Sequence, residues 1–414
     1  MRNIAKGPAD CLGNAPASRA SLRRRALIGG AAIGAGLALR PRLIGTAFAQ
    51  ATPIKIGVLA PLSGVYASLG TNMVNGIKMF WNSQGMRVAG RAITLVIEDE
   101  GTPQEGLRKA RKLIEEDQAD ILLGVINSAL GYALKDYVAR AQKVWVATGA
   151  AADGIFVKSN NNPYAIRSSL SVWQATHPMG GWLADKGYKR VFVTGPDYAM
   201  GREAVASFSS TFQVNGAAKV GEIFAPLGTA DYAPYLAAIK KASPDLVFAS
   251  FAGNDAVRFV QQFAEFGLNT TVKLAGYGYL TSEDLLPAQG DAALGIYSGL
   301  NWSYGIDTPQ NKAFITEYRT KYNETATVDA VAGYVGAQAI FEAIQSMKGI
   351  ITSQEELSKA LLAINFTSPR GPIRFDSSTN NVIQNIYISE VARIDGGIHN
   401  RTLAKFDEVR DPGA

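Results

Sequence analysis

Residues 54–84 read IKIGVLAPLSGVYASLGTNMVNGIKMFWNSQ, and the fold turns on them. Residues 54–59 are apolar at alternate positions and too short for a helix, so they predict a strand. Pro61, Gly64 and Gly70 break either period and predict a loop over 61–70. Val74, Ile77 and Trp81 then follow at the i, i+3, i+7 spacing of a core-facing helix. A long loop between a buried strand and a helix lies at the carboxyl edge of an open sheet, where ligands bind. Helix amides and the helix dipole add a preference for an anion there. Alone, the same unit is also an ordinary strand-to-helix turn.

The rest of the chain repeats the pattern. Strands are predicted over 93–97, 120–124 and 144–147, with helices between them. One helix start is written three ways: Thr102 as cap, Pro103 at the first position, where a missing N–H costs nothing, and Glu105 closing a capping box. A second run has strands over 190–194, 219–224, 245–250 and 272–275, again alternating with helices. Helices over 309–322 (capped by Thr308), 328–347 and after Ser353 follow, then strands over 373–375, 382–388 and 391–394. Alternating strand and helix predicts parallel sheets covered on both faces, and two such runs predict two lobes in an α/β chain.

The chain has 414 residues, 47% of them hydrophobic, enough for two cores. Its formal charge of +6 suggests an acidic partner until the charges are located. Residues 1–49 hold eight Lys/Arg and one acid; taking these from 41 and 35 leaves 33 bases against 34 acids. The basic excess therefore belongs to the leader, and nucleic acid is not an expected partner. Arg23, Arg24 and Arg25 precede the apolar run 26–39, and Ala47-Phe48-Ala49 supplies a small-x-small cleavage site before Gln50. This predicts an export signal over 1–49, similar to a twin-arginine signal, and hence a periplasmic location. The single Cys, Cys11, lies in that leader, so disulfides and thiol chemistry are not expected in the mature chain.

Catalytic constellations are scarce. His177 and His399 are the only histidines, neither in a metal-binding spacing, and both are read as surface or helix-end residues. There is no Gly-x-Ser-x-Gly elbow and no phosphate loop; no cofactor, metal or enzymatic activity is expected. What recurs is a polar or aromatic loop after a strand. Ser63, Gly64 and Tyr66 form the first, Asn127 and Ser128 the second, and Thr148, Gly149, Ala150 and Ala151 the third. Tyr198 with Met200, and Asn254 with Asp255, continue the series, and Tyr277 follows the strand over 272–275. In an open sheet such loops share one edge, so they predict a cleft for a small ligand.

With these stretches in view, residues 53–394 resemble the leucine/isoleucine/valine-binding family of periplasmic solute receptors that serve ABC importers. The resemblance rests on IGVLAPLSG (56–64), DYAMG (197–201) and GPIRFD (371–376). It implies a type I periplasmic binding protein fold, two doubly wound parallel-sheet lobes joined by a three-segment hinge. One lobe would hold 53–168 with 301–375, the other 169–300 with 376–410. It also implies a small-molecule ligand and transient contact with a membrane permease. Amino-acid binders of the family hold the carboxylate with a Ser, backbone amides and a Thr. Ser128 matches that Ser, and Gly149 and Ala150 the amide donors, whereas Ala151 stands in the Thr position. The acid that pairs with the ligand's amine falls at Gly278, and an aromatic position is Met200. Either Asp255 replaces that acid or the ligand has no amine. The expected ligand is a small carboxylate with an apolar or aromatic body; a strict branched-chain amino acid binder and a ligand-sensing receptor of the same fold are the alternatives.

Overall fold

The computed structural model describes residues 52–413, apart from 214, 215 and 395. The leader, its arginines and Cys11 lie outside the described residues. The first strand, Ile54–Ala60, pairs in parallel with Arg91–Asp99 on one side and Ile121–Gly124 on the other. Trp145–Ala147 and Ala165–Arg167 extend the sheet. Numbered by sequence, these five strands lie in the order 2-1-3-4-5. The second half repeats that order with Arg190–Pro196, Ala218–Ala225, Leu246–Ala249, Lys273–Tyr277 and Tyr297–Leu300. In this doubly wound order the strand sequence reverses beside the first strand, and the loops leaving strands one and three open a crevice there.

The opening helix runs Ala67–Ser83 after a short 3-10 turn, Gly64–Tyr66, so it begins inside the expected loop. Ile77 and Trp81 are fully buried and Val74 nearly so, as their spacing requires. This face packs on the long helix Val328–Ser346. A Cβ on Gly76 would meet the Ala330 carbonyl oxygen at 1.9 Å, so only glycine permits so close an approach. The Thr102–Glu105 capping box forms as read from the sequence.

Four elements differ from expectation. The helix Val172–Asp185 and the strand Ala165–Arg167 occupy a stretch with no assigned element, and the helix carries Pro178 in its interior. The two strands expected over 382–394 are one, Asn381–Ile394. The last strand, Gly397–Val409, occupies what reads as a glycine-rich tail. His399 therefore lies on a strand, with Nδ1 2.9 Å from Glu283, and His177 lies mid-helix, stacked on Trp173 at 4.3 Å.

Chain crossings between the halves occur at 168–171, at 301–308 and within the strand Asn381–Ile394. The start of that strand pairs with Arg167 and with Gly371–Asp376, and from Tyr387 onward it pairs with Tyr297–Leu300. The crossings are bonded to one another. Asn301 Nδ2 donates to the Ser169 carbonyl and to Gln384 Oε1, both at 3.1 Å, and Gln384 Nε2 donates to the same Ser169 carbonyl at 2.6 Å. Among the described residues no helix is long and apolar enough to cross a membrane.

Candidate functional site

Loops at the carboxyl ends of strands from both halves line a pocket with ≈320 Å³ of empty space, part of it open to solvent. In the first half, Tyr66 and Leu69 follow strand one, Ile126 and Ser128 follow strand three, and Gly149 and Ala151 follow strand four. From the second half come Tyr198 and Met200 after its first strand, Ala252 after its third, and Tyr277 and Tyr279 after its fourth. The walls are thus the loops at the two switch points plus the fourth-strand loops.

Four tyrosines give the cavity its character. Tyr66 and Tyr198, from opposite halves, are hydrogen-bonded through their hydroxyls at 3.0 Å, and burial pushes both phenols well above the usual range. Tyr279 donates to Asp329 Oδ1 at 3.2 Å, and burial raises the Asp329 carboxyl well above its ordinary value. Tyr277 is 2% exposed, and its hydroxyl is buried without any hydrogen-bond partner. A buried hydroxyl in that condition costs roughly 1–3 kcal/mol until something in the cavity bonds to it.

Further donors at the cavity come from the first half. Ser128 Oγ accepts the Ala152 N–H at 3.1 Å, which leaves its own proton to donate. Neither the Gly149 nor the Ala151 N–H has an acceptor among the described residues. Space at Gly149 admits no side chain, since a Cβ there would lie 2.7 Å from Ile126. Ala150 differs from expectation: its N–H is bonded to the Val125 carbonyl at 2.8 Å, so its amide is not available. In the same loop its two neighbours, Gly149 and Ala151, are the residues whose N–H groups are unbonded among the described residues.

Several other candidates lie outside the cavity. Ser63 is exposed and its hydroxyl donates to Asp99 at 2.7 Å; Gly64, also exposed, holds a positive φ of 76° that turns the loop. Asn127 caps the helix Ser128–Ala141 by accepting the Ala129 N–H at 2.8 Å. Thr148 Oγ1 turns to the Met73 sulfur at 3.0 Å. Asn254 is exposed and lines a different, larger cavity beside Ser68 and Asp284. Asp255 is 1% exposed, but its carboxylate accepts the Gly228 N–H at 2.8 Å and meets Arg258 at 3.3 Å. Leu69, Ile126, Ala252 and Tyr279 are the lining residues that sequence reading passed over. No lining residue of the cavity is charged.

Behind the second loop, Glu100 is 1% exposed and accepts the N–H groups of Ile126 and Asn127 at 2.9 and 2.7 Å. Burial outweighs those two donors and pushes its carboxyl up to about 7. Across the crevice, Glu203 accepts from the Tyr132 hydroxyl at 2.8 Å and from the Asp153 amide, tying the second half to the first. Among the described residues no group of three or more His, Cys, Asp or Glu could hold a metal ion.

Comparison with known proteins agrees with this architecture. The family described as periplasmic binding protein matches residues 53–397. Leu/Ile/Val-binding protein homolog 6 of Brucella melitensis biotype 1 is 30% identical over 375 residues, covering 88% of this chain and 94% of the relative. Among solved structures, a solute-binding protein of an ABC transporter from Rhodopseudomonas palustris BisB5, in complex with 3,4-dihydroxy benzoic acid, matches with a TM-score of 0.83. It is 34% identical and covers 87% of this chain and 99% of that one. A second from R. palustris, in complex with 4-hydroxybenzoate, has a TM-score of 0.81 at 30% identity, covering 86% and 97%. The chain belongs to the periplasmic binding protein family, as a solute-binding protein of the leucine/isoleucine/valine-binding type.

Proposed function

We propose that this protein is the periplasmic binding component of an ABC importer and that its cargo is a small aromatic carboxylate of the benzoate and hydroxybenzoate class. It binds without turnover and delivers the ligand to a membrane permease. The reading is carried by one observation: the cavity holds four tyrosines and no acid. An α-amino acid brings an ammonium that needs a buried anion, and leaving such a charge unpaired costs ~3–5 kcal/mol. Asp255, the acid that would serve, is engaged by Gly228 and Arg258. A carboxylate with no amine needs only donors, and Ser128 with the amides of Gly149 and Ala151 supplies them. Tyrosine faces suit an aromatic body, and the two solved relatives carry hydroxylated benzoic acids. In this reading the hinge comprises the three crossings, with lobes close to 53–168 plus 301–375 and 169–300 plus 376–410.

The test is a thermal-shift screen followed by titration calorimetry. It compares benzoate, 4-hydroxybenzoate and 3,4-dihydroxybenzoate with leucine, isoleucine and valine. A ligand at ~100 times its dissociation constant adds ~2.7 kcal/mol of stability, so the aromatic acids should shift the melt while the amino acids do not. Tighter binding of leucine than of any aromatic acid would return the protein to the branched-chain amino acid binders.

A further inference from the structure

Of the four tyrosines lining the cavity, three use their hydroxyls inside the protein. Tyr66 and Tyr198 bond to each other at 3.0 Å, and Tyr279 donates to Asp329 at 3.2 Å. Tyr277 is the exception: its hydroxyl is buried and has no hydrogen-bond partner among the described residues. The residue is 2% exposed and closely confined. It closes the strand Lys273–Tyr277, where it lies in register with Gly299 of the next strand. A Cβ on the following Gly278 would lie 2.5 Å from Leu300, so the turn after Tyr277 is pressed against that strand. Its ring packs at 5.2 Å from the ring of Tyr279, which is itself tied to Asp329. A side chain packed in this way has little room to turn toward a partner elsewhere.

That hydroxyl and the other unbonded donors belong to different halves. Ser128, Gly149 and Ala151 stand on loops of the first half, and Tyr277 ends the fourth strand of the second. A carboxylate offers two oxygens, which three such donors largely occupy. An aromatic acid held there would point its ring at the second half, where Met200 and Ala252 are apolar and Tyr198 is bonded to Tyr66. The polar group left to meet the ring is the Tyr277 hydroxyl. A phenol both donates and accepts, so another hydroxyl suits it, and the Tyr66–Tyr198 bond is the same pairing within the same cavity. We propose that Tyr277 is a specificity-determining residue that reads a hydroxyl at the end of the ligand's ring opposite the carboxylate, so that the preferred cargo is a hydroxybenzoate and not benzoate itself. This rests on the aromatic-carboxylate reading and narrows its ligand class. A site with a buried group placed to bond a ligand hydroxyl rejects the analogue lacking it, because that group is then left unpaired.

The experiment measures 4-hydroxybenzoate, 4-methylbenzoate and benzoate by titration calorimetry on the wild type and on Tyr277→Phe. The wild type should bind 4-hydroxybenzoate roughly tenfold more tightly than either of the others, about the value of one hydrogen bond. 4-Methylbenzoate is nearly the same size, so a gain that it shared would come from filled volume and would overturn the proposal before any variant is made. Tyr277→Phe keeps the ring and removes only the unpaired hydroxyl, so the melting temperature of the empty protein should not fall. In that variant the preference for 4-hydroxybenzoate over benzoate should shrink to less than about twofold; the ratio of the two affinities is the readout. Equal loss of both ligands would put Tyr277 on the carboxylate and overturn the proposal. A preference that survives intact would assign the ring hydroxyl to another group and overturn it as well. Failure of the wild type to bind any aromatic acid is a separate result, and it defeats the functional reading itself.

Discussion

Replacing Ser128 by alanine should weaken binding and folding together, and the two effects can be separated. Ser128 is 1% exposed and its hydroxyl accepts the Ala152 N–H at 3.1 Å, so its proton is left for an acceptor in the cavity. Donation to a carboxylate is a charge-assisted bond, worth ~1.5–3 kcal/mol, and its loss should raise the dissociation constant for benzoate roughly ten- to a hundredfold. Alanine also orphans the Ala152 N–H, which should lower the stability of the empty protein by ~1–3 kcal/mol. That second cost is present with and without ligand, so it does not by itself change affinity. Calorimetry reads the first effect and denaturant unfolding of the unliganded protein reads the second. If Ser128→Ala unfolds more easily yet binds benzoate with full affinity, the hydroxyl only braces the Ala152 loop and the carboxylate lies elsewhere.

Other expectations follow from the same geometry. Asp255→Asn should leave affinity for an aromatic acid within about threefold, because its carboxylate serves Gly228 and Arg258 and not the cavity; a large loss by calorimetry would mean the ligand carries an amine. Glu203→Gln should lower affinity for every ligand by a similar factor, since it weakens a contact across the crevice without touching the cavity; a change in the ranking of ligands would contradict this. Small-angle scattering should show a smaller radius of gyration with saturating ligand, and an unchanged radius would exclude hinge closure. Glu100 is raised from 4.5 to about 7, so between those values the folded chain keeps a proton that the unfolded chain has lost. Its contribution to stability is therefore full below ~4.5 and falls by roughly 3 kcal/mol as pH rises to ~7. Urea unfolding at pH 5 and pH 8 should show a smaller fall in Glu100→Gln, and an identical fall would remove Glu100 as its source.

Much of the frame was legible because its signals are local. The Thr102–Glu105 box, the Thr308 cap and the alternating strands need only their own residues. The helix Val172–Asp185 was not, because Pro178 interrupts the pattern that marks a helix; tertiary packing overrides it, with Gly180 pressed against the Phe208 carbonyl. The strand Gly397–Val409 escaped because it pairs along only Asn381–Ile394 and keeps many residues exposed, so it lacks a strand's apolar alternation. At the site, loops after strands named seven lining residues. Attention to polar side chains, however, passed over Ile126 and Ala252, which sit beside the polar residues that drew it. Leu69 was missed because the helix begins at Ala67, inside what reads as loop. Asp255 shows the limit of such reading: a chain position gives the loop, while the direction of a carboxylate depends on a partner as distant as Gly228.

In the proposed reading, the same atoms that recognise the ligand also set when the protein closes. Tyr66 with Tyr198, Tyr132 with Glu203, and Tyr279 with Asp329 each join the two halves. At ~0.5–1.5 kcal/mol for each bond, and more where a carboxylate accepts, these contacts approach the ~5.5 kcal/mol that moves a two-state equilibrium from 1:99 to 99:1. On that count alone the empty protein would close unaided. The opposing term lies in the cavity. Among the described residues the Tyr277 hydroxyl, the amides of Gly149 and Ala151 and the Ser128 proton have no partner, and an open crevice lets water satisfy them. Closing on nothing strips that water and leaves each donor unmet, at ~1–3 kcal/mol apiece. A carboxylate with an aromatic body removes that penalty by accepting the bonds and filling the volume. A hydrocarbon of similar size, with no acceptor, fills the volume and leaves the donors unmet, so it favours closure less. Selectivity and the switch are therefore one property of the cavity: the ligand that satisfies its donors is the ligand that shuts it.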